Sequence, residues 1–153
     1  MIELIDLHKS FNEVVVFSGL NLTIPTGRIT SVLGRSGGGK SVLLKHIIGL
    51  LRPDRGRILV DGKDMVTMND RQLNDIRRRF GMLFQEAALF DSMTVGENVA
   101  FPLREHTELS EAEIRDKVRA KLAQVGLAGI EDKMPAELSG GMKKRVGLAR
   151  AIA

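Results

Sequence analysis

The apolar positions of the chain are spaced as strands near its N-terminus and as helices near its C-terminus. Alternation predicts strands at 2–7 and 20–24, and 57–60 predicts another strand that ends at the turn residues Asp61 and Gly62. We therefore expect an N-terminal part that is rich in β-structure.

Two shorter apolar runs, 29–33 and 82–84, have the length and composition of buried strands. A continuous apolar stretch at 42–51 predicts a buried helix, and 69–79 predicts a second helix with Asn69 as its N-cap. Strands and helices are thus expected to mix in the first half of the chain.

Beyond Gln85 the pattern is helical. Thr94 and Ser110 each begin a capping box, in which a Ser or Thr is followed three residues later by Glu. Pro102 is expected to limit the first of these helices, and Gly126 to stop the second. The apolar residues at helical spacing are Val95, Val99 and Leu103 in the first helix, and Ile114, Val118, Leu122 and Val125 in the second.

The run 34–41 fits the pattern G-x-x-x-x-G-K-[ST] of a phosphate-binding P-loop, or Walker A motif, between a predicted strand and a predicted helix. Glycines let the backbone N–H groups curl around phosphates, and the helix N-terminus adds unpaired donors and the positive end of its dipole. A glycine-rich turn with an incidental lysine is the alternative. The predicted nucleotide-binding residues of the run are Gly34, Arg35, Ser36, Gly37, Gly38, Gly39, Lys40 and Ser41.

Two side chains of this run carry the expected chemistry. Lys40 would place its ammonium on the β- and γ-phosphates and so take part in catalysis, and the Ser41 hydroxyl would ligate Mg²⁺. The run therefore predicts binding of a nucleoside phosphate together with magnesium.

Composition narrows the class of protein. The chain of 153 residues, 43% hydrophobic and 27% charged, is ordinary for one soluble domain. No apolar run approaches the roughly 20 residues of a membrane span, there is no signal-peptide pattern, and the lack of cysteine excludes disulfide and thiol chemistry. The net charge of +4 suits an anionic ligand or membrane surface but does not by itself indicate nucleic acid. We expect a cytoplasmic protein.

A second motif, Leu-Ser-Gly-Gly-Met, occupies 138–142, and a helical pattern follows it. Ser139 would cap that helix, and Gly140 and Gly141 would expose its first backbone donors. Taken alone, the motif also fits an ordinary glycine-containing helix start on the surface.

Together, the two motifs make the chain resemble the ATP-binding subunit of an ABC transporter over its whole length. The second motif is similar to the family signature Leu-Ser-Gly-Gly-Gln, with Met142 in place of the glutamine. Gln85 resembles the family's Q-loop glutamine, which is near Mg²⁺ and the γ-phosphate. The resemblance therefore implies that Gln85 is a catalytic residue and a magnesium ligand. Phe11 stands where the family has an aromatic that stacks on adenine; a core side chain is its alternative. The resemblance implies that the signature contacts the ATP bound by a second copy of the subunit. The residues concerned are Leu138, Ser139, Gly140, Gly141 and Met142.

The resemblance implies an α/β fold, a P-loop NTPase core of the ABC ATPase type with an antiparallel β part and a helical subdomain. We expect the ATP-binding core at 1–85, the helical subdomain at 86–138 and the signature helix at 139–153. The family's Walker B strand, with its Mg²⁺-binding aspartate and its general-base glutamate, is expected beyond Ala153. A chain that is truncated there should be inactive and only marginally stable by itself.

A closer resemblance is to the ATPases of the Mla-type lipid transport systems, which move phospholipids between bacterial membranes. It rests on the segments 84–90 and 101–107 and on Met142. It implies ATP hydrolysis that powers transport of phospholipid or another hydrophobic substrate. It also implies a homodimer that sandwiches ATP, integral membrane permease subunits as partners, a peripheral position on the inner face of the cell membrane, and no nucleic acid.

Two other classes share part of this pattern. A soluble ABC ATPase that acts on nucleic acid or ribosomes would use the same motifs, and the triple arginine 77–79 favours it. However, the interval between the two motifs is compact and has neither cysteine nor sustained heptads. A GTPase or small-molecule kinase would not explain the signature.

Overall fold

The computed structural model describes every residue from Met1 to Ala153. The chain forms two compact units, Met1–Arg79 and Phe80–Ala153. The first unit contains a sheet and two α-helices, and the second contains three α-helices. The domain limits expected at 85 and 138 stay predictions.

Four strands form an antiparallel sheet in the first unit. They are β1 Ile2–Phe11, β2 Val14–Ile24, β3 Arg55–Val60 and β4 Lys63–Asp64. Their spatial order in the sheet is β2-β1-β3-β4. The strands predicted at 2–7, 20–24 and 57–60 are confirmed, and β1, β2 and β3 each extend further than predicted. At the turn between β3 and β4, Asp61 and Gly62 both have positive φ, 48° and 78°, as a tight hairpin turn requires.

The helices of the first unit are α1, Lys40–Ile47, and α2, Asp70–Arg77. Helix α2 begins at the predicted cap, because the Asn69 side chain accepts the N–H of Gln72 at 3.0 Å and the Gln72 side chain accepts the N–H of Asn69 at 3.1 Å. The buried residues of this unit come from the sheet, the helices and the short turn at 65–67: Leu4, Leu7, Ile58 and Val60 of the sheet, Leu43, His46 and Ile47 of α1, Leu73 and Ile76 of α2, and Met65 of the turn.

Helix α1 is shorter than the helix predicted at 42–51. Gly49 takes a left-handed φ of 72°, and the N–H groups of Leu50 and Leu51 turn back to the carbonyl of Lys45. This arrangement ends the helix by satisfying its last carbonyls. The apolar pattern did not indicate this helix end, because Leu50 and Leu51 beyond Gly49 are apolar too.

The second unit is built from α3, Val95–His106, α4, Glu111–Gln124, and α5, Gly140–Ala151. Both predicted capping boxes are confirmed, at Thr94 and Ser110, and Gly126 follows α4 with φ 70°. The prediction that Pro102 limits α3 was wrong, since the helix continues for one turn to His106. A proline inside a helix removes one backbone hydrogen bond, and the buried face of α3 compensates for it.

The strands predicted at 29–33 and 82–84 are absent, which corrects the sequence interpretation. Neither run has regular structure, and Ile29 and Leu33 are 99% and 92% exposed. A strand needs a neighbour for its backbone N–H and C=O groups. None of the four strands of the sheet pairs with either run, so the apolar pattern alone does not make them strands here.

None of the five α-helices combines the length and the hydropathy that crossing a membrane would require.

Candidate nucleotide loop and signature helix

The P-loop lies directly against strand β2. Gly37 and Gly39 have left-handed φ angles of 77° and 82°. A Cβ on Gly39 would lie 2.8 Å from Val16 Cγ1 and 3.2 Å from Phe17 Cε1. Position 39 therefore needs glycine both for its backbone conformation and for the close approach of the loop to the sheet.

The N-terminus of α1 carries no side-chain cap. Its N-cap is Gly39, and no acidic residue stands in its first turn, whereas Lys45 and His46 are in its last turn. The first backbone N–H groups and the positive end of the helix dipole are thus open to an anion. The other four α-helices each begin with a capping side chain, from Asn69, Thr94, Ser110 and Ser139.

Lys40 bends back over the loop that precedes it. Its Nζ donates to the carbonyl of Gly34 at 2.8 Å and to that of Arg35 at 2.6 Å. The loop is closed by a further bond from Gly38 N–H to the Arg35 carbonyl at 3.1 Å. The ammonium therefore rests on neutral acceptors within the loop, which it can exchange for phosphate oxygens. The remaining residues of the run, Gly34, Arg35, Ser36, Gly37, Gly38 and Ser41, are exposed.

Phe11 ends strand β1 on the same hairpin that supports the loop. Its ring is 43% exposed, so it is not the core side chain of the alternative interpretation. Lys9 lies over the ring with Nζ 5.2 Å from its centroid, and Asp54 accepts from Lys9 Nζ at 2.7 Å. The hydrogen bond from Lys9 lowers the pKa of Asp54. The ring thus offers a solvent-facing surface on which a base can stack.

Gln85 is exposed at the start of a turn, 85–88, in the second unit. The turn is held from α5, since Arg150 donates from Nη1 to the carbonyl of Ala88 at 2.8 Å and from Nη2 to that of Ala87 at 2.7 Å. Desolvation lowers the pKa of Arg150. The sequence did not indicate this contact, because 62 and 63 residues separate its partners.

A buried asparagine fixes the other end of the segment that follows Gln85. Asn98 is fully buried on α3, and its Oδ1 accepts the N–H of Phe90 at 2.8 Å. Its Nδ2 lies at 2.9–3.1 Å from the carbonyls of Phe90, Met93 and Thr94. Sequence reasoning missed Asn98, although its place between the inward-facing Val95 and Val99 was a signal.

The signature residues divide into two that contribute to the core of the second unit and three that are exposed. Leu138 belongs to the core of the second unit, and Met142 packs against that core. Ser139 Oγ accepts the N–H of Met142 at 3.3 Å and so caps α5, as predicted. A Cβ on Gly140 or Gly141 would meet nothing within 4 Å. The residues open to a ligand are therefore Ser139, Gly140 and Gly141.

The triple arginine 77–79 is engaged within the first unit. Arg77 Nη2 donates to the carbonyl of Gly49 at 2.6 Å, and Arg79 pairs with Asp61. Arg78 lies 3.9 Å from Asp75, and the side chains of Arg78 and Arg79 are each 55% exposed. The chain also contains no group of three His, Cys, Asp or Glu side chains able to hold a metal ion by themselves.

Comparison with known proteins agrees with this geometry. The sequence profile of the family described as ABC transporter matches residues 17–153. The dimeric structure of a bacterial ABC transporter cassette superposes with a TM-score of 0.93 at 32% identity, covering 100% of this chain and 69% of that one. The same cassette in a post-hydrolysis state bound to ADP and Pi gives a TM-score of 0.91 with the same identity and coverage. This chain belongs to the ABC transporter family and has the fold of its ATPase cassettes.

Curated relatives narrow the position within the family. The chain is 55% identical over 151 residues to the probable ribonucleotide transport ATP-binding protein mkl of Mycobacterium tuberculosis, covering 99% of this chain and 42% of that protein. It is 45% identical over 153 residues to the intermembrane phospholipid transport system ATP-binding protein MlaF of Escherichia coli, covering 100% of this chain and 57% of that protein. The chain thus spans about half the length of the curated relatives it matches.

Proposed function

We propose that this chain carries the nucleotide-binding part of an ATPase that powers an ABC membrane transporter. The observation that carries the proposal is the loop before α1, where glycines with left-handed φ and an uncapped helix N-terminus leave backbone donors free beside Lys40. A triphosphate is the ligand that needs several such donors together with a cation. The related cassette that holds ADP and Pi supports a nucleotide in this role.

Each predicted residue has a distinct part in the proposed site. The Lys40 ammonium leaves the carbonyls of Gly34 and Arg35 for the β- and γ-phosphates, and Phe11 stacks on adenine. The exposed Ser41 hydroxyl fits a magnesium ion that enters with ATP, because Mg²⁺ keeps most of its ligands as water and phosphate oxygen. Bound Mg²⁺ supplies neutralisation of the charge on the phosphates. Gln85 would help to hold the metal through its side-chain amide.

The first test is nucleotide affinity in the complete protein. Lys40→Ala removes a charge-assisted contact to phosphate of about 1.5–3 kcal/mol, which is roughly ten- to a hundredfold in Kd. Titration of a fluorescent ATP analogue measures the change. Lys45→Ala is the matched control, since Lys45 is exposed in the last turn of the same helix. Equal affinity of the Lys40 and Lys45 variants would contradict the P-loop assignment.

We further propose that two copies pair around ATP, with Ser139, Gly140 and Gly141 of one copy against the γ-phosphate bound by the other. Their exposure at the start of α5 supports this role, and the dimeric structures of the related cassette are consistent with it. Backbone donors at a helix N-terminus suit a phosphate there.

Ser139→Arg should abolish ATP-dependent pairing of the complete protein, because a bulky cation would fill the γ-phosphate site. Size-exclusion chromatography with ATP, in a hydrolysis-blocked background, measures the dimer. Ser110→Arg removes the same kind of cap from α4 and adds the same cation elsewhere, so it separates loss of a cap from obstruction of the site. A dimer that survives Ser139→Arg, or is lost equally with Ser110→Arg, would contradict the signature role.

For the transported substrate we propose phospholipid or another hydrophobic molecule, handled by integral membrane permease subunits on the inner face of the membrane. The similarity to the phospholipid transport protein includes the segments 84–90 and 101–107. Phe90 and Phe101 also form an exposed aromatic pair with ring centroids 5.0 Å apart, which suits an apolar helix of a permease.

Ribonucleotide is the second candidate substrate, because the relatives named for ribonucleotide transport are the more identical ones, at 55%. The complete transporter reconstituted in vesicles would decide between the two. Stimulated ATP hydrolysis and movement of labelled phospholipid are expected, with no uptake of labelled ribonucleotide; the opposite pattern would favour the second candidate.

A further inference from the structure

A side chain near the C-terminal end of α5 forms hydrogen bonds with the turn at 85–88. The guanidinium of Arg150 donates to two successive carbonyls, of Ala87 and Ala88, at 2.7 and 2.8 Å. Its carbon Cζ also lies 5.9 Å from the ring centroid of Phe90. One planar group therefore holds the backbone two and three residues after Gln85 and contacts the side chain five residues after it.

The two alanines need this support for their backbone conformation. Their φ angles are +61° at Ala87 and +47° at Ala88, a left-handed region that residues with a side chain adopt rarely. Ala87 is fully buried, and α5 approaches it so closely at Gly147 that a Cβ there would lie 3.1 Å from Ala87 Cβ. Such a conformation persists where the surrounding structure holds it. The shape of the turn is thus set by α5 rather than by the residue types within the turn.

We propose that Arg150 is a positioning residue that ties the placement of Gln85 to the signature helix. The inference rests on the proposed function, in which Gln85 lies near the γ-phosphate and Ser139 meets the partner's ATP. Ser139 and Arg150 stand near opposite ends of one 12-residue helix, which is about 18 Å long at 1.5 Å per residue. Engagement of ATP at one end of this rigid element therefore acts on the carbonyls that anchor Gln85 at the other end.

Arg145 provides a matched control on the same helix. Its Nη1 donates to the carbonyls of Val125 and Gly126, both at 3.2 Å. The residue type and the kind of acceptor are the same as for Arg150, but the anchored loop does not contain Gln85. A merely structural role would make the two arginines equivalent in their effect on hydrolysis.

The test is steady-state ATP hydrolysis by the complete protein. We expect Arg150→Met to lower kcat about ten- to a hundredfold with KM for ATP changed less than about twofold, because the phosphate loop is untouched while a catalytic group is misplaced. Gln85→Ala should lower kcat in the same range. The double variant should be at most about twofold slower than Gln85→Ala alone, because both changes remove the same interaction. Arg145→Met should keep kcat within about twofold of the unsubstituted protein.

A second substitution keeps the test decisive if Arg150→Met does not fold. Arg150→Lys retains the charge but lacks the planar fork that serves two carbonyls. Its kcat should therefore lie between those of Arg150→Met and the unsubstituted protein. When Gln85 is already replaced by alanine, adding Arg150→Lys should change kcat by less than about twofold. Multiplicative losses in the double variants, or an equal loss with Arg145→Met, would overturn the role of Arg150. Absence of hydrolysis by the unsubstituted protein, or indifference to Gln85→Ala, would instead contradict the proposed function.

Discussion

The two compact units bury their apolar residues to different extents. In the second unit, the inward-facing residues of α3, α4 and α5 form one continuous buried cluster that includes Val99, Leu122 and Val146, each fully buried. In the first unit, Ile29 and Leu33 are almost completely exposed at 99% and 92%. A helix satisfies its backbone within its own segment, so three neighbouring helices can bury their apolar faces against one another. An apolar run that would form a strand gains nothing until another strand pairs with it.

Helix α1 of the first unit also begins differently from the three helices of the second unit. All three helices of the second unit start with a side-chain cap, whereas α1 of the first unit starts at Gly39 without one. A side-chain cap satisfies one of the first backbone N–H groups of a helix, and an uncapped helix keeps that donor free. The start of α1 therefore has one more free backbone donor than the start of a capped helix.

The largest expected effect tests the difference in burial. Leu122→Ala should lower the free energy of unfolding by about 2–5 kcal/mol, since it leaves a cavity in the helical core. Leu33→Ala removes the same atoms from an exposed side chain and should change it by less than about 0.5 kcal/mol. Urea unfolding followed by circular dichroism measures both variants of the chain. Similar losses for the two would mean that residue 33 is buried after all.

A smaller effect tests the difference in capping. Ser110→Ala should lower the free energy of unfolding by about 1 kcal/mol, because the first backbone donors of α4 lose the hydroxyl that accepts from them. Ser110→Thr keeps that hydroxyl and serves as the control, and thermal unfolding of the helical signal is the measurement. If the alanine variant matches the threonine variant, the Ser110 cap does not contribute to the stability of the second unit.

The smallest effect concerns pH and the first unit alone. Hydrogen bonds from the N-terminal ammonium and then from Arg79 lower the pKa of Asp61 to about 2. Because the pKa is lower in the folded state than its ordinary value of about 4, the carboxylate stabilises the fold above that pH, and the contribution is lost as the pH falls toward 2.

Asp61→Asn should therefore reduce the melting temperature slightly near pH 6, and the difference from the unsubstituted chain should disappear as the pH approaches 2. Thermal scans over this range provide the measurement. Glu13→Gln is the control, since Glu13 is an exposed carboxylate without a hydrogen bond or an ion pair in the structure. A difference that persists unchanged at pH 2 would show that Asp61 acts through something other than its charge.

The family and most local elements followed from short stretches of sequence. The P-loop run, the signature and the capping residues Asn69, Thr94, Ser110 and Ser139 could be predicted, because a cap or a loop motif depends on residues three to eight positions apart. The inward faces of α3 and α4 were also correct, since helical periodicity is a local property. The roles of the individual site residues in binding and hydrolysis remain predictions.

The sequence by itself determined where helices begin and which residues could meet phosphate, and only the tertiary structure decided what holds those residues in place. Hydrogen bonds join Arg150 to the turn at 85–88, and Asn98 to Phe90. No local sequence pattern relates the positions that these bonds connect. The failure of 29–33 to form a strand has the same origin, because the hydrogen bonds of a strand come from another segment of chain. Local chemistry is encoded locally, whereas pairing and anchoring depend on which distant groups the fold brings within bonding distance.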